Sequence, residues 1–244
     1  MVADSLPTYR IVREDDEKSL YVVYREGECV LRATSLSGVL DWLLWDVHGQ
    51  AMVGSREFLI LHAGAVSWDD RGIVLPAPPD SGKTTLTAGL TRAGLSYLTD
   101  EAALIDPVTA RMHPYPRALW FEPPTLELFP EVRNSLPPAC RVDGRSHYQV
   151  CPDDLRPGSV GGPCQIRYVI APHYAKGSST FLEPISRAAG VHALAKNAFN
   201  FDDFSAGGLS VLAEIVRGAD CYRLSIGNLS EAVALIKDLA RSDN

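Results

Sequence analysis

An α/β fold organised around a phosphate-binding loop is what this 244-residue sequence predicts, on three observations. A β-rich run, GIVLPA, leads into the segment PPDSGKTT. That segment opens a helix, TTLTAGLTRAG, closed by Gly94. A further β-rich run, LSYLTDEAALID, follows as one strand and is stopped by Pro107. Strand, loop, helix, strand is the order that brings a phosphate to the free amides of a helix N-terminus. The expected architecture is a mixed β-sheet with flanking helices, plus a small N-terminal β element.

The N-terminal element reads as three short strands at residues 9–12, 19–25 and 28–33, separated by the charged turn EDDEK and by EGE. Val39, Leu40, Leu43, Leu44 and Val47 then recur at helical spacing, with Ser35 or Ser37 placed to cap, so an amphipathic helix is expected. From residue 58, FLILHAGAVSW and GIVLPA flank the polar turn DDRG and read as a hairpin whose second strand feeds the loop. Residues 113–163 are rich in proline and read as loops packed around a site, with one short helix near Leu126. Beyond them come a strand (CQIRYVIAPH), two helices (ISRAAGVHALAKNAF and GLSVLAEIVRG), a strand (CYRLSI) and a closing helix. Residues 1–57 are expected to pack on a core formed by residues 58–244 as one compact unit.

Composition removes several function classes. A net charge of −7 and the lack of any Lys/Arg run argue against a nucleic-acid surface. Apolar runs such as residues 38–45 fall far short of the ~20 residues that span a bilayer, and MVADSLPTYR lacks a secretory pattern, so no membrane role and a cytoplasmic location are expected. The five cysteines are scattered. Cys140, Cys151, Cys164 and His147 lack the short ligand spacing of a structural zinc site, and reduced, buried thiols are the plainer reading.

The pattern G-x-x-x-x-G-K-[ST] falls on residues 77–84, with Ala77 in place of the first glycine. In such a loop backbone N–H groups wrap phosphate oxygens, the lysine neutralises them and the Thr hydroxyl ligates Mg²⁺. Asp80, Ser81, Gly82, Lys83, Thr84 and Thr85 are the expected nucleotide contacts, with Thr84 on the metal. Pro78 and Pro79 offer no N–H, and Asp80 adds a negative charge, although Asp tolerates the positive φ that glycine usually supplies. Asp100 and Glu101, presented by the LTDEAALI that ends the next β-rich run, are candidates for holding Mg²⁺ or polarising an attacking hydroxyl. His62 lies in an apolar strand beside the one that feeds the loop.

Together, LHAGAV, GIVLPAPPDSGKTTLTAGLTRAG and YLTDEAALID resemble the bacterial HPr kinase/phosphorylase family and its shorter relatives, over about residues 58–110 and more weakly through LAKNAFNF and the last strand and helix. The resemblance implies a fold of the HPr-kinase and phosphoenolpyruvate-carboxykinase type, with ATP and Mg²⁺ bound by Lys83 and Thr84. It further implies Asp100 as the acid/base, Glu101 in the place of a metal-associated Asp, and His62 beside the transferred phosphate. Arg117 and Arg167 are candidate phosphate-facing arginines. Only about 60 residues precede His62, which is similar in layout to short relatives that phosphorylate a serine of ribosomally made peptides, lasso peptides among them. The leading expectation is therefore an ATP-dependent kinase acting on a serine of a peptide or protein. A nucleotide-binding regulatory module, or a small-molecule kinase of the same fold, stands as the alternative, and a homo-oligomer is left open.

Overall fold

The structure, a computed structural model, describes residues 7–15, 20–52, 55–133, 140–142 and 145–242. The turn read at 14–18 falls largely outside them, as does the pair Pro137 and Pro138. β1 (Tyr9–Asp15), β2 (Leu20–Arg25) and β3 (Glu28–Ala33) form an antiparallel meander. Glu26 and Gly27 both take positive φ, 51° and 86°, as a tight hairpin turn requires. In α1 (Leu36–Met52) the Ser35 hydroxyl caps the first turn, accepting from the Gly38 N–H at 3.1 Å.

The apolar stripe of α1 does not face inward as its spacing suggests. Leu40, Leu44, Trp45 and Val47 are exposed, whereas Asp41 and Asp46 are buried with Val39. The cause is polar anchoring: Arg25 Nη1 donates to both Asp46 oxygens at 2.8 and 3.0 Å, Tyr9 donates to Asp46 at 2.6 Å, and the Gln149 amide donates to Asp41 at 3.2 Å. A buried carboxylate must be satisfied, so these partners set which way the helix faces.

β4 (Leu59–Trp68) and β5 (Arg71–Pro76) form the expected hairpin through Asp69 and Asp70, both at positive φ. The loop and α2 (Lys83–Arg92) follow. The single strand expected next is two, β6 (Ser96–Thr99) and β7 (Ala102–Ile105), both antiparallel to β4 and interrupted at Asp100 and Glu101. β8 (Arg111–His113) completes that edge. The proline-rich region is not loop alone. It holds β9 (Leu119–Phe121), the short helix α3 (Pro123–Glu127), β10 (Cys140–Val142), β11 (Arg145–Val150) and the single turn α4 (Pro152–Leu155), with β9, β10 and β11 in a separate small sheet. Leu119, Phe121, Phe129, Val132 and Val150 close an apolar cluster beneath it, so buried side chains rather than a long run of β-formers stabilise these short strands.

β12 (Cys164–Tyr174), β13 (Phe181–Pro184), α5 (Arg187–Lys196), α6 (Ser205–Gly218), β14 (Asp220–Ile226) and α7 (Leu229–Ser242) complete the chain. The main sheet is mixed: β5, β12 and β14 run parallel, while β13, β4, β6, β7 and β8 are antiparallel to their neighbours. β8 pairs with both β7 and the start of β12, so β4, β5, β12, β8 and β7 close into a ring of hydrogen-bonded strands. Alternation divides the core. Leu59, Leu61, Ala63 and Val74 face α5 and α6, whereas Ile73, Leu75, Tyr168 and Ile170 face α2 and α7. His62 and Gly64 therefore lie on the α2 side of β4, and a Cβ on Gly64 would sit 2.4 Å from Thr87 Oγ1. Of the cysteines expected to be buried, Cys164 and Cys221 are, but Cys29 and Cys151 are exposed.

Asn200 pins the segment after α5 to the start of β4. It is 4% exposed, its Oδ1 accepts from the Ile60 N–H at 2.9 Å, and its Nδ2 donates to the Ser55 and Phe58 carbonyls at 2.8 and 2.9 Å. Asn200→Ala leaves those buried groups unpaired, and a loss of roughly 2–4 kcal/mol is expected in urea unfolding.

Candidate active site

The loop leaves β5 at Pro76 and turns through Asp80 at φ 60° and Gly82 at φ 86°. Asp80 thus adopts the left-handed conformation its side chain tolerates. A Cβ on Gly82 would press on Tyr174 Cβ at 3.3 Å, so glycine lets β12 close over the loop. α2 begins at Lys83 with no side chain capping it, which leaves its first N–H groups available to an anion. Lys83 Nζ donates to the Ala77 and Pro78 carbonyls, each at 2.8 Å. Ala77, in the place of the first glycine, and Pro78 thus supply acceptors that brace the lysine. Burial lowers the Lys83 pKa, with Glu101, Asp100 and Asp80 pulling it back up.

Two adjacent acids face different surroundings. The Thr99 hydroxyl accepts from the Glu101 and Ala102 N–H groups, and the Ala63 N–H donates to the Glu101 carbonyl at 3.1 Å, so the chain bulges at Asp100 and Glu101 and then continues along β4 in the same direction. Asp100 points into the protein and is 2% exposed. Its Oδ2 accepts from the Thr84 hydroxyl at 3.3 Å, and its Oδ1 lies 3.3 Å from the Tyr97 hydroxyl and 3.7 Å from Arg117 Nε. Burial pushes the Asp100 carboxyl up from its ordinary 3.8 to about 6; Arg117 works against that rise and Glu101 adds to it. Glu101 points into the cleft, with Oε1 3.5 Å from His62 Nε2. Burial and Lys83 lower the His62 pKa, while Glu101 raises it.

A cleft of ≈ 960 Å³ opens above the loop, at the C-terminal ends of the parallel strands β5, β12 and β14. Of the expected site residues, His62, Asp80, Gly82, Lys83, Thr84, Thr85 and Glu101 line it. Asp100 lies behind Thr84, and the Ser81 hydroxyl is buried without a hydrogen-bond partner. Neither candidate phosphate-facing arginine lines the cleft: Arg117 Nε lies 3.7 Å from Asp100, and Arg167 is paired with Asp220 at 2.9 Å. The remaining lining was not anticipated: Trp120, Glu122 and His147 on one side, Tyr174 and residues 226–229 on another, and Phe199, whose ring is tilted against that of His62 with centres 5.3 Å apart. The alternation LWFE at residues 119–122 carries the signal for the first of these, masked by the surrounding prolines.

No protein-family model matches the chain, and no curated protein matches it. Among solved structures it is similar to the Hpr(Ser) kinase/phosphatase from Coxiella burnetii, with 11% identity, coverage of 75% of this chain and 89% of that one, and a TM-score of 0.40. What the cleft can do follows from its own residues.

Among the described residues no three His, Cys, Asp or Glu side chains gather as a metal cluster. The available donors are the Thr84 hydroxyl with Asp100 behind it and Glu101 in the cleft. That sparse oxygen set fits Mg²⁺, which keeps several waters and takes phosphate oxygens as ligands. Among the described residues no helix is long and apolar enough to cross a membrane.

Asp100 gives a pH signature. With its folded pKa at about 6 against 3.8, the folded chain binds the proton more tightly than the unfolded chain. Stability therefore falls as pH rises through that window, and the ionised carboxylate carries a constant cost above it. In Asp100→Asn this slope is removed. The stability of the variant relative to the parent is expected to improve by roughly 2–3 kcal/mol between pH 4 and pH 7.5, read from urea unfolding across pH.

Proposed function

We propose that this protein is an ATP-dependent kinase that transfers the γ-phosphate to a serine hydroxyl of a peptide or protein. One observation carries the reading: the uncapped N-terminus of α2, Lys83, and the Thr84 hydroxyl backed by Asp100 converge at the floor of a cleft that also presents Glu101 and His62. This is a cationic and amide-lined cradle for a triphosphate beside a carboxylate available to a hydroxyl.

In the proposed reaction the amides of residues 82–85 and Lys83 hold the β- and γ-phosphates. Lys83 exchanges its two loop carbonyls for phosphate oxygens of higher charge, which favours the switch. Thr84 and Asp100 are the residues that would hold Mg²⁺, which when bound supplies charge neutralisation on the phosphates. The serine oxygen forms its bond to Pγ as the bond from Pγ to the β–γ bridging oxygen breaks. ADP leaves with that electron pair, and the serine proton passes to Glu101. This exchanges the roles expected for the two acids. The reason is access: Asp100 is buried behind Thr84, whereas Glu101 lines the cleft within reach of an acceptor. His62 steadies Glu101 and, kept neutral by its burial, adds no charge that would hold the carboxylate away from the proton.

The bracing of Lys83 by Ala77 and Pro78 favours a second reading, a nucleotide sensor whose loop opens only on binding. Calorimetry with Mg-ATP, followed by phosphate-transfer assays, separates the two. The kinase reading expects binding and transfer, with Lys83→Ala losing roughly 10²–10⁴ in kcat/KM. Glu101→Gln is expected to bind Mg-ATP and lose turnover, while Asp100→Asn needs more Mg²⁺ for half-maximal rate. Undiminished turnover by Glu101→Gln would remove it as the proton acceptor.

A further inference from the structure

The cleft is unequal in charge from one side to the other. Tyr174 and residues 226–229 carry no ionisable group apart from the tyrosine hydroxyl, and suit a flat, uncharged ring system. Opposite in character, the side built from β9 and β11 presents Trp120, Glu122 and His147, and Glu101 projects into the same cleft. The register explains this wall. Phe121 pairs with Tyr148 and Trp120 with Gln149, so Leu119, Phe121 and Val150 point into the apolar cluster while Trp120, Glu122 and His147 share the other face. The His147 ring lies 5.5 Å from that of Trp120, and its buried Nδ1 has no hydrogen-bond partner. Arg117 also approaches Trp120, 5.7 Å from the ring centre, with its charge set against Asp100.

We propose that Trp120, Glu122 and His147 form the acceptor-selecting wall, and that the acceptor is a serine flanked by a cationic side chain. The proposal rests on the kinase reading above. With a triphosphate on Lys83 and α2, an anionic acceptor would meet the phosphates and two carboxylates, Glu101 and Glu122. A lysine or arginine beside the serine instead meets the carboxylates and the face of an indole, both of which attract a cation.

The test uses the full chain, Mg-ATP and two short synthetic peptides, one with a serine flanked by arginines and one with the same serine flanked by glutamates. Transfer is read as KM and kcat, and peptide binding is read separately by calorimetry with a non-hydrolysable ATP analogue. The arginine peptide is expected to be favoured by about tenfold or more in kcat/KM, chiefly through KM, and the preference is expected to shrink as salt rises. E122Q should narrow the preference, and W120A should weaken binding of the arginine peptide more than that of the glutamate peptide. Transfer with equal or reversed preference overturns the proposal and leaves the kinase intact. A shift in ATP affinity in W120A and E122Q with the peptide preference unchanged overturns it too, by making this wall part of the nucleotide site. Absence of Mg-ATP binding by the parent chain removes the kinase reading itself, and the acceptor wall with it.

Discussion

The contact between Gly64 of β4 and Thr87 of α2 is the constraint on which the site depends. With only 2.4 Å between the Thr87 hydroxyl and the place a Cβ would occupy, no other residue lets the helix lie so close to the strand. That closeness brings the N-terminal turn of α2 toward His62, two residues before Gly64, and toward the bulge at Asp100 and Glu101 on the edge of β4 that pairs with β6 and β7. Three separate segments thereby deliver a helix terminus, an imidazole and two carboxylates to one place. A side chain at 64 would lift α2 and separate Thr84 from Asp100, whose 3.3 Å contact has little reach to spare.

Burial gives the two acids different chemistry although they are neighbours in sequence. Asp100 has lost nearly all its water and lies against the Thr84 and Tyr97 hydroxyls and the Arg117 guanidinium. Glu101 retains solvent, and its carboxylate lies 3.5 Å from a partly buried histidine. A buried carboxylate suits the support of a ligand, whereas a solvated one suits proton exchange. The same division explains why Lys83 is braced by neutral carbonyls rather than paired with an acid: a lysine locked in a buried ion pair would be costly to release toward a phosphate.

Much of this was legible in the sequence where local chemistry decides the structure. The hairpin, the loop and α2 follow from GIVLPA, the GKTT segment and Gly94, and Asp80 does adopt the positive φ its side chain allows. Reading failed where distant contacts decide. The break between β6 and β7 is set by the Thr99 hydroxyl and by Ala63 of β4, which a run as apolar as LSYLTDEAALID does not reveal. The small sheet of β9, β10 and β11 has strands as short as three residues, too short for periodicity to register among so many prolines. The orientation of α1 was the largest departure, because spacing counts apolar residues and takes no account of Arg25, Tyr9 and Gln149 drawing Asp41 and Asp46 inward.

The ring closed by β8 bears on colloidal behaviour. A strand whose amides already face a neighbour on each side cannot template a foreign chain, and β4, β5, β7, β8 and β12 are all occupied in this way. β6 is covered by the backbone of residues 159–161, through Tyr97 N–H to the Ser159 carbonyl and Gly161 N–H to the Tyr97 carbonyl. Among the described residues that leaves β13 as the open margin of the main sheet, four residues long, carrying Glu183 and ending in Pro184. Short length, a charge and a proline are the devices that make a margin a poor seed for cross-chain fibrils, so the ring and this short margin together protect the main sheet against amyloid-type growth.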